Sequence, residues 1–320
     1  MKAAAFALVV LTLNVAGPRR VHQGWPTRRE AITARLKNEA ADAAAFQEVW
    51  RGEDLAALGE AAGHANRALD ERLGLGVTSR LPIESTLSRD LGGGYGALRA
   101  RLRAGRSEID VYSARLEPGE GPAAARRLGQ LFHLSEFIRS ESSTRPFVLL
   151  GDLGAGADER DPALLLDLVE GRDLCVFHGD EVCGRTLDDK RVDYAIIPYS
   201  SRPPRETARA AFTDLLPDQD DLADAVHFGL RARLDDSVLR LKPAVSPPGR
   251  DEALAAVAAA LAVAAADDAR RAAQTGWIPF LGTLQAARIA DDSARLAALE
   301  EEVRSARLRG TKREPPVTPD

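Results

Sequence analysis

RPFVLLGDLGAGADE, at residues 145–159, gives the clearest structural signal in the chain. Its apolar run at 147–150 has no polar interruption and is bounded by proline and glycine, which predicts a central strand covered on both faces. Asp152 stands at the end of this strand, where α/β proteins often carry their chemistry on loops. A turn or a helix cap is the alternative role for such a Gly-Asp ending. The stretch therefore predicts a buried strand that delivers one carboxylate to the rim of a sheet.

Strand and helix signals are intermixed on both sides of this segment. Strands are predicted at residues 6–15, 43–50, 75–79, 96–102, 109–116, 191–198 and from 227 onward, and helices at 26–44, 121–140 and 162–170. Thr27 and Glu30 have the spacing of a capping box, so Thr27 is the predicted N-cap of the first helix. Strands intermixed with helices predict an α+β fold, a four-layer sandwich of two packed mixed β-sheets flanked by helices.

Polar residues stand at the ends of several predicted strands. Asn14 closes the first apolar strand, and Glu48 lies near the end of the second. Asp193 belongs to the strand at 191–198, and His227 opens the last strand. If these strand ends meet at the rim that carries Asp152, they form one candidate site. The remaining histidines are interpreted as core or surface residues: His22, His64, His133 and His178.

The composition changes sharply beyond the last of these strands. Residues 1–235 are predicted to form the main domain, and the proline-bearing stretch at 236–250 a linker. Residues 251–309 are rich in alanine, the best helix former, and predict an α-helical hairpin. The polar tail at 310–320 is predicted to be disordered.

The predicted hairpin allows two interpretations. Its connection contains Trp277, Ile278, Phe280 and Leu281, which would suit peripheral insertion into a membrane surface. The alternative, which we favour, is packing on the main domain or self-association with a second copy. No apolar run reaches the roughly 18–20 residues of a spanning helix.

Charge and the N-terminal sequence limit the partners and the compartment. A net charge of −5 and a pI near 5.7 give no general attraction to polyanions, so there is no strong nucleic-acid signature. The start, MKAAAFALVVLTLNVAG, has the composition of a secretory signal, but a β-strand explains it equally well. We expect a soluble protein, with a cytoplasmic location favoured over secretion.

The two cysteines, Cys175 and Cys183, lie close together in the sequence. They would bridge a hairpin in an oxidising compartment, but they are too few for a disulfide framework or a structural zinc site. The interpretation that we favour is two buried thiols.

Several segments occur in the order and approximate spacing typical of the endonuclease/exonuclease/phosphatase superfamily. They are LTLNVAG, AAAFQEVW, GVTSRLPI, VLLGDLGAGAD, RVDYAIIP and HFGLRARL. QEVW and the helix WPTRREAITARL most resemble the neutral-sphingomyelinase-like branch. The resemblance covers residues 1–235, and it implies a Mg²⁺-dependent phosphodiesterase, with Mn²⁺ as an alternative ion.

The resemblance assigns a role to each candidate residue. Glu48 would be the chief Mg²⁺ ligand, since this hard cation prefers carboxylate oxygen and retains several waters. Asn14 would support the metal or a phosphate oxygen. Asp193 would orient His227, as a carboxylate fixes an imidazole tautomer. Asp152 would position or activate the water that attacks phosphorus.

The chain also departs from the superfamily pattern. Gly154 stands where the resemblance implies an asparagine that hydrogen-bonds the phosphate and orients Asp152. Val226 replaces a second carboxylate on the metal side, for which Asp224 would substitute only if the loop bulges. The expected phosphate-contacting histidine is replaced by Ala114 or Arg115, depending on the register.

These departures leave two functions open. The first is a divergent Mg²⁺-dependent phosphodiesterase that hydrolyses a phosphodiester substrate, either a phospholipid or a nucleic acid. The second is a catalytically impaired member of the superfamily that serves as a binding or scaffold protein.

Overall fold

The computed structural model describes residues 7–19, 24–120, 122–157, 159–169, 171–177, 180–187, 189–198, 208–212, 227 and 229–235. The strands are β1 (Ala7–Asn14), β2 (Ala43–Gln47), β3 (Asn66–Asp70), β4 (Leu75–Ser79), β5 (Ile83–Gly92), β6 (Tyr95–Ala104), β7 (Ser107–Arg115), β8 (Phe147–Asp152), β9 (Gly171–Asp173), β10 (Val176–Phe177), β11 (Asp180–Glu181), β12 (Asp193–Pro198), β13 (Arg209–Ala211) and β14 (Gly229–Asp235). The helices are α1 (Trp25–Glu39), α2 (Gly52–Ala61), α3 (Pro122–Ser142) and α4 (Arg160–Leu168).

The strands form two six-stranded mixed sheets and a small hairpin. The β1 sheet has the order β13-β14-β1-β2-β4-β3, and the β8 sheet has the order β5-β6-β7-β8-β12-β9. Each sheet contains one parallel pair, β1 with β2 and β7 with β8, and antiparallel pairs elsewhere. Parallel neighbours need a long crossover connection, which α1 and α3 provide. This connectivity brings the C-terminal ends of both strands of each parallel pair to the same rim.

Both faces of the sheets are covered, as the unbroken apolar run of β8 predicts. Val148 and Leu150 point into the core between the two sheets, whereas Leu149 packs against the core beneath α3 and α4. On the other side of the molecule, α1 and α2 cover the β1 sheet through residues such as Leu36 and Leu58. Each such buried side chain contributes about 1.5–3 kcal/mol by leaving water. The predicted four-layer sandwich is confirmed.

The first helix begins differently from its prediction. Gly24 is the N-cap and Pro26 occupies the first turn, so Thr27 lies inside the helix and makes no capping hydrogen bond. Proline is favoured in the first turn because its missing N–H group would have no helical partner there. The prediction that Thr27 is the N-cap was therefore wrong.

The prediction of two buried thiols was also wrong. Cys175 and Cys183 form a disulfide, with their Cα atoms 5.2 Å apart. The reason is the antiparallel pairing of β10 with β11, in which Val176 lies opposite Glu181 and the flanking cysteines approach each other. The disulfide closes the hairpin that follows β9.

The linker, hairpin and tail predicted at residues 236–320 lie outside the described residues, as do Asp224 and Val226. Their domain boundaries, self-association and membrane contact stay predictions. Within the described part of the chain, no helix is both long and apolar enough to cross a membrane.

Candidate active site

Strand register aligns the candidate residues of the β8 sheet in one row. Asp152 at the end of β8 lies beside Arg115 of β7 on one side and Asp193 of β12 on the other. In the β1 sheet, Asn14 pairs with Gln47, so Glu48 follows at the same rim. Both sheets therefore present their polar strand ends at one edge of the sandwich.

Asn14 links the two sheets through its side-chain amide. Its Nδ2 donates to Asp152 Oδ2 at 3.0 Å and to Glu48 Oε1 at 3.2 Å. Its Oδ1 accepts the backbone N–H of Ala16 at 2.9 Å, which fixes the orientation of the amide. A donor shared between two carboxylates reduces their mutual repulsion. Asn14 therefore holds Glu48 and Asp152 together at the rim.

The backbone orients Asp152 in place of the missing asparagine. Asp152 Oδ1 accepts the N–H of Gly154 at 2.9 Å, in a turn of the kind that aspartate side chains form. Gly154 has φ +64°, and a Cβ there would lie 2.8 Å from the carbonyl oxygen of Glu117. Asparagine would therefore not fit without a shift of the backbone. The conformation of this loop therefore requires glycine at position 154.

A buried arginine supports the loops on both sides of this turn. Arg127 of α3 has 1% of its side chain exposed and forms an ion pair with Asp161 at 2.7 Å. Its Nη1 donates to the carbonyl oxygens of Glu117, Gly119 and Gly154 at 2.8–3.1 Å. The loop after β7 is thus tied to the loop after β8. Sequence reasoning missed this residue, because an arginine in an amphipathic helix is normally solvated.

Glu48 has a strained backbone conformation, and its carboxylate lies near the cations of Arg115 and Arg28. Its φ is +57°, and its carbonyl oxygen accepts the N–H of Gly17 at 3.1 Å. Such left-handed positions for side chains other than glycine cluster at functional sites. The Arg115 Nε lies 3.2 Å from Glu48 Oε1. Burial lowers the pKa of Arg28, and the charge of Glu48 opposes that shift.

Asp193 and His227 form a buried pair. His227 Nδ1 donates to Asp193 Oδ2 at 2.9 Å, and Nε2 lies 3.8 Å from Asp152 Oδ2. Burial by itself would lower the pKa of His227, but the charge of Asp193 and this hydrogen bond outweigh it and raise the pKa to about 9. His227 therefore carries a proton at neutral pH. One substrate oxygen between His227 and Asp152 could contact both groups.

Arg115 is a residue of the site that sequence reasoning noted only as a substitution. The register places Arg115, and not Ala114, beside Asp152, and Ala114 is fully buried. The guanidinium lies 4.8 Å from the ring centroid of Tyr95 and 5.9 Å from that of Trp50. Stacking of this kind holds a planar cation in place. The signal in the sequence was the position of Arg115 at the end of a strand next to the strand of Asp152.

The structure thus brings together Asn14, Glu48, Asp152, Asp193 and His227, with Arg115 among them. Carboxylates, an imidazole and a guanidinium therefore lie together at one rim of a two-sheet α/β sandwich. The sequence profile described as the Endonuclease/Exonuclease/phosphatase family matches residues 11–181. The chain belongs to this family, and the superfamily predicted from the sequence is confirmed.

Solved structures show the same fold. The structure of D. rerio TDP2 complexed with single-strand DNA product is 14% identical, with 71% of this chain and 98% of that chain covered and a TM-score of 0.58. Sphingomyelinase C from Streptomyces griseocarneus is 16% identical, covers 71% and 99%, and has a TM-score of 0.56. An endonuclease/exonuclease/phosphatase from Beutenbergia cavernae is 19% identical, covers 74% and 72%, and has a TM-score of 0.55. A comparison with curated proteins finds no match. The sphingomyelinase-like branch stays a prediction.

Members of this family are generally dependent on a divalent metal, and the donor groups of this rim can be compared with those that Mg²⁺ prefers. Within the described ranges, no three His, Cys, Asp or Glu side chains form a group that could hold a metal. Mg²⁺, however, is commonly held by one or two carboxylates, with waters and substrate phosphate completing its shell. Glu48 at the rim fits that donor set. Asn14 as a ligand stays a prediction; its Oδ1 accepts the N–H of Ala16 with one lone pair and has a second lone pair for a cation.

Proposed function

We propose that residues 1–235 form a Mg²⁺-dependent phosphodiesterase that hydrolyses a phosphodiester to a phosphomonoester and an alcohol. The observation that carries this proposal is the approach of His227 Nε2 to within 3.8 Å of Asp152 Oδ2 while Asn14 joins Asp152 to Glu48. An acid, a base and a candidate metal ligand thus face one small volume. Mn²⁺ is the alternative ion. The substrate class is a phospholipid or a nucleic acid.

Each side chain of the site has a separate role in the proposed hydrolysis. Asp152 accepts a proton from the water that attacks phosphorus, and its orientation is fixed by Gly154 and Asn14. The bond from phosphorus to the leaving oxygen breaks, and the departing alkoxide takes a proton from solvent. His227 donates from Nε2 to a phosphoryl oxygen as negative charge grows there, while Asp193 holds the imidazolium. Glu48 would hold Mg²⁺, which when bound supplies Lewis-acid polarisation of the phosphoryl group.

Glu48→Gln tests the proposal with bis(4-nitrophenyl) phosphate as the substrate and Mg²⁺ added. The neutral amide is a poorer ligand for a hard cation, so we expect kcat/KM to fall by at least ~10²-fold. Glu60→Gln is the matched control, because Glu60 is exposed on α2, and it should keep wild-type turnover. Equal turnover by wild type and Glu48→Gln, or a rate without added Mg²⁺ that equals the rate with it, would refute the proposal.

A catalytically impaired binding protein is the second candidate. It is favoured by the ion pair between Arg115 and Glu48, which engages the candidate metal ligand, and by Gly154, which supplies no side-chain donor for phosphate. Under this alternative the wild type binds a phosphodiester but does not turn it over. The hydrolysis assay separates the two candidates.

A further inference from the structure

The carboxylate of Glu48, the candidate metal ligand, is already engaged by Arg115, so a bound cation would compete with this ion pair. Glu48 Oε1 already lies 3.2 Å from Arg115 Nε and 3.2 Å from Asn14 Nδ2. A divalent cation on the same carboxylate would face the positive guanidinium at close range. Like charges repel strongly where protein excludes water, and here 25% of the Glu48 side chain and 15% of the Arg115 side chain are exposed. Arg115 therefore weakens cation binding as long as it stays on Glu48.

Arg115 also has the position and support of an anion-binding group. It ends β7 beside Asp152, and its guanidinium lies over the rings of Tyr95, at 4.8 Å from the centroid, and Trp50, at 5.9 Å. Trp50 is itself fixed, because its Nε1 donates to the carbonyl oxygen of Gly17 at 2.8 Å. A planar guanidinium binds phosphate oxygens through two parallel hydrogen bonds, which makes phosphate a better partner than one carboxylate oxygen.

A second cation extends this surface. Arg19 lies 4.1 Å from the ring centroid of Trp50, and the Arg19 side chain is exposed. Trp50 thus contacts two guanidinium groups, one at the rim with Asp152 and one further out. The two guanidinium groups give this surface a local positive potential, which attracts an anionic substrate towards Arg115.

We propose that Arg115 is a substrate-binding residue that couples anion binding to cation binding at Glu48. In the free protein Arg115 neutralises Glu48, and Mg²⁺ binds weakly. A phosphate group takes the guanidinium from Glu48, and the released carboxylate then binds Mg²⁺ more tightly. By linkage, Mg²⁺ strengthens phosphate binding by the same factor. The inference rests on the proposed function for the nature of the substrate, but not for turnover.

Isothermal titration calorimetry with Mg²⁺ alone tests the coupling. Arg115→Met removes the charge and keeps much of the side-chain volume, so we expect Mg²⁺ to bind the phosphate-free variant ~10-fold more tightly than the wild type. Arg115→Lys retains the charge and should bind Mg²⁺ as weakly as the wild type. Arg103→Met, on an exposed arginine of β6 that pairs with Glu84, is the control and should leave the affinity unchanged.

Titration with inorganic phosphate completes the experiment. Saturating phosphate should tighten Mg²⁺ binding to the wild type, whereas in Arg115→Met this gain should shrink and phosphate alone should bind more weakly. Mg²⁺ affinity that is unchanged, lower or undetectable in a folded Arg115→Met variant would overturn the inference, and circular dichroism checks that the variant is folded. If Arg115→Met misfolds, Arg115→Lys decides: the inference stands if phosphate still tightens Mg²⁺ binding to this variant and fails if it does not. Coupling without turnover would refute only the proposed hydrolysis, and turnover without coupling would refute only the role of Arg115.

Discussion

His227→Gln is expected to lower kcat for phosphodiester hydrolysis by about 10³-fold, within the range lost when a donor to a developing oxyanion is removed. His227 is 6% exposed and is held by Asp193 at 2.9 Å, so its Nε2 is directed at the rim and not at solvent. Glutamine keeps a polar side chain but cannot carry the positive charge. KM should change much less than kcat, because the charge is needed chiefly in the transition state.

The pH profile separates this role from a purely structural one. The pKa of His227 is about 9, so its proton is present at neutral pH and is lost as the pH rises through 9. Loss of the proton removes the donor, and kcat should therefore fall on the alkaline side in the wild type. His133→Gln, on α3, is the control and should keep both kcat and the alkaline limb. A wild-type profile that stays flat through pH 9, or equal losses in both variants, would contradict the assignment.

Arg127→Met is expected to lower the free energy of unfolding by about 3–5 kcal/mol, the usual cost of removing one partner from a buried ion pair. Asp161 would lose its 2.7 Å ion pair with Arg127, and the carbonyl oxygens of Glu117, Gly119 and Gly154 would lose a shared donor. Buried acceptors without donors are costly because water no longer solvates them. The loops that follow β7 and β8 would loosen, so kcat should fall as well.

Urea denaturation of wild type and variant measures this effect. Arg139→Met is the matched control on the same helix, since Arg139 is 40% exposed and pairs with Glu136 three residues earlier. An exposed pair contributes only about 0–1 kcal/mol, so the control should unfold near the wild-type midpoint. Equal shifts in the midpoint for Arg127→Met and Arg139→Met would show that Arg127 does not anchor the loops.

The central strand and the identity of the polar strand ends could be predicted from the sequence because both are local properties. The run at 147–150 alternates between two covered faces, and apolar residues are needed on both. The sequence shows that four polar residues end, follow or begin predicted strands: Asn14, Glu48, Asp193 and His227. Their roles in metal binding and catalysis stay predictions.

Long-range geometry could not be predicted in the same way. The contact of Arg115 with Glu48 depends on how the β7 and β8 ends meet the β1 sheet, which no local pattern specifies. The sequence predicts no strand between residues 79 and 96, but β5 (Ile83–Gly92) lies there. It is an edge strand whose side chains are mostly exposed, so it lacks an apolar period. The disulfide likewise depends on the pairing of β10 with β11.

Gly154 illustrates how a substitution can be misjudged from sequence. Its appearance in place of asparagine predicts that Asp152 loses its orientation. The structure instead supplies a backbone N–H from Gly154 itself and an amide from Asn14. The substitution removes a side-chain amide from the loop, and under our proposal the guanidinium of Arg115, beside Asp152 at the same rim, supplies a donor to phosphate instead.

Hydrolysis of a phosphodiester in ¹⁸O-labelled water, followed by ³¹P NMR, tests most directly whether this rim activates water for attack on phosphorus. With Mg²⁺ present, the wild type should place ¹⁸O in the phosphomonoester product, and Asp152→Asn should do so at least ~10²-fold more slowly. Product that forms at the same rate in both proteins, or a wild type that leaves the diester intact, would contradict the account.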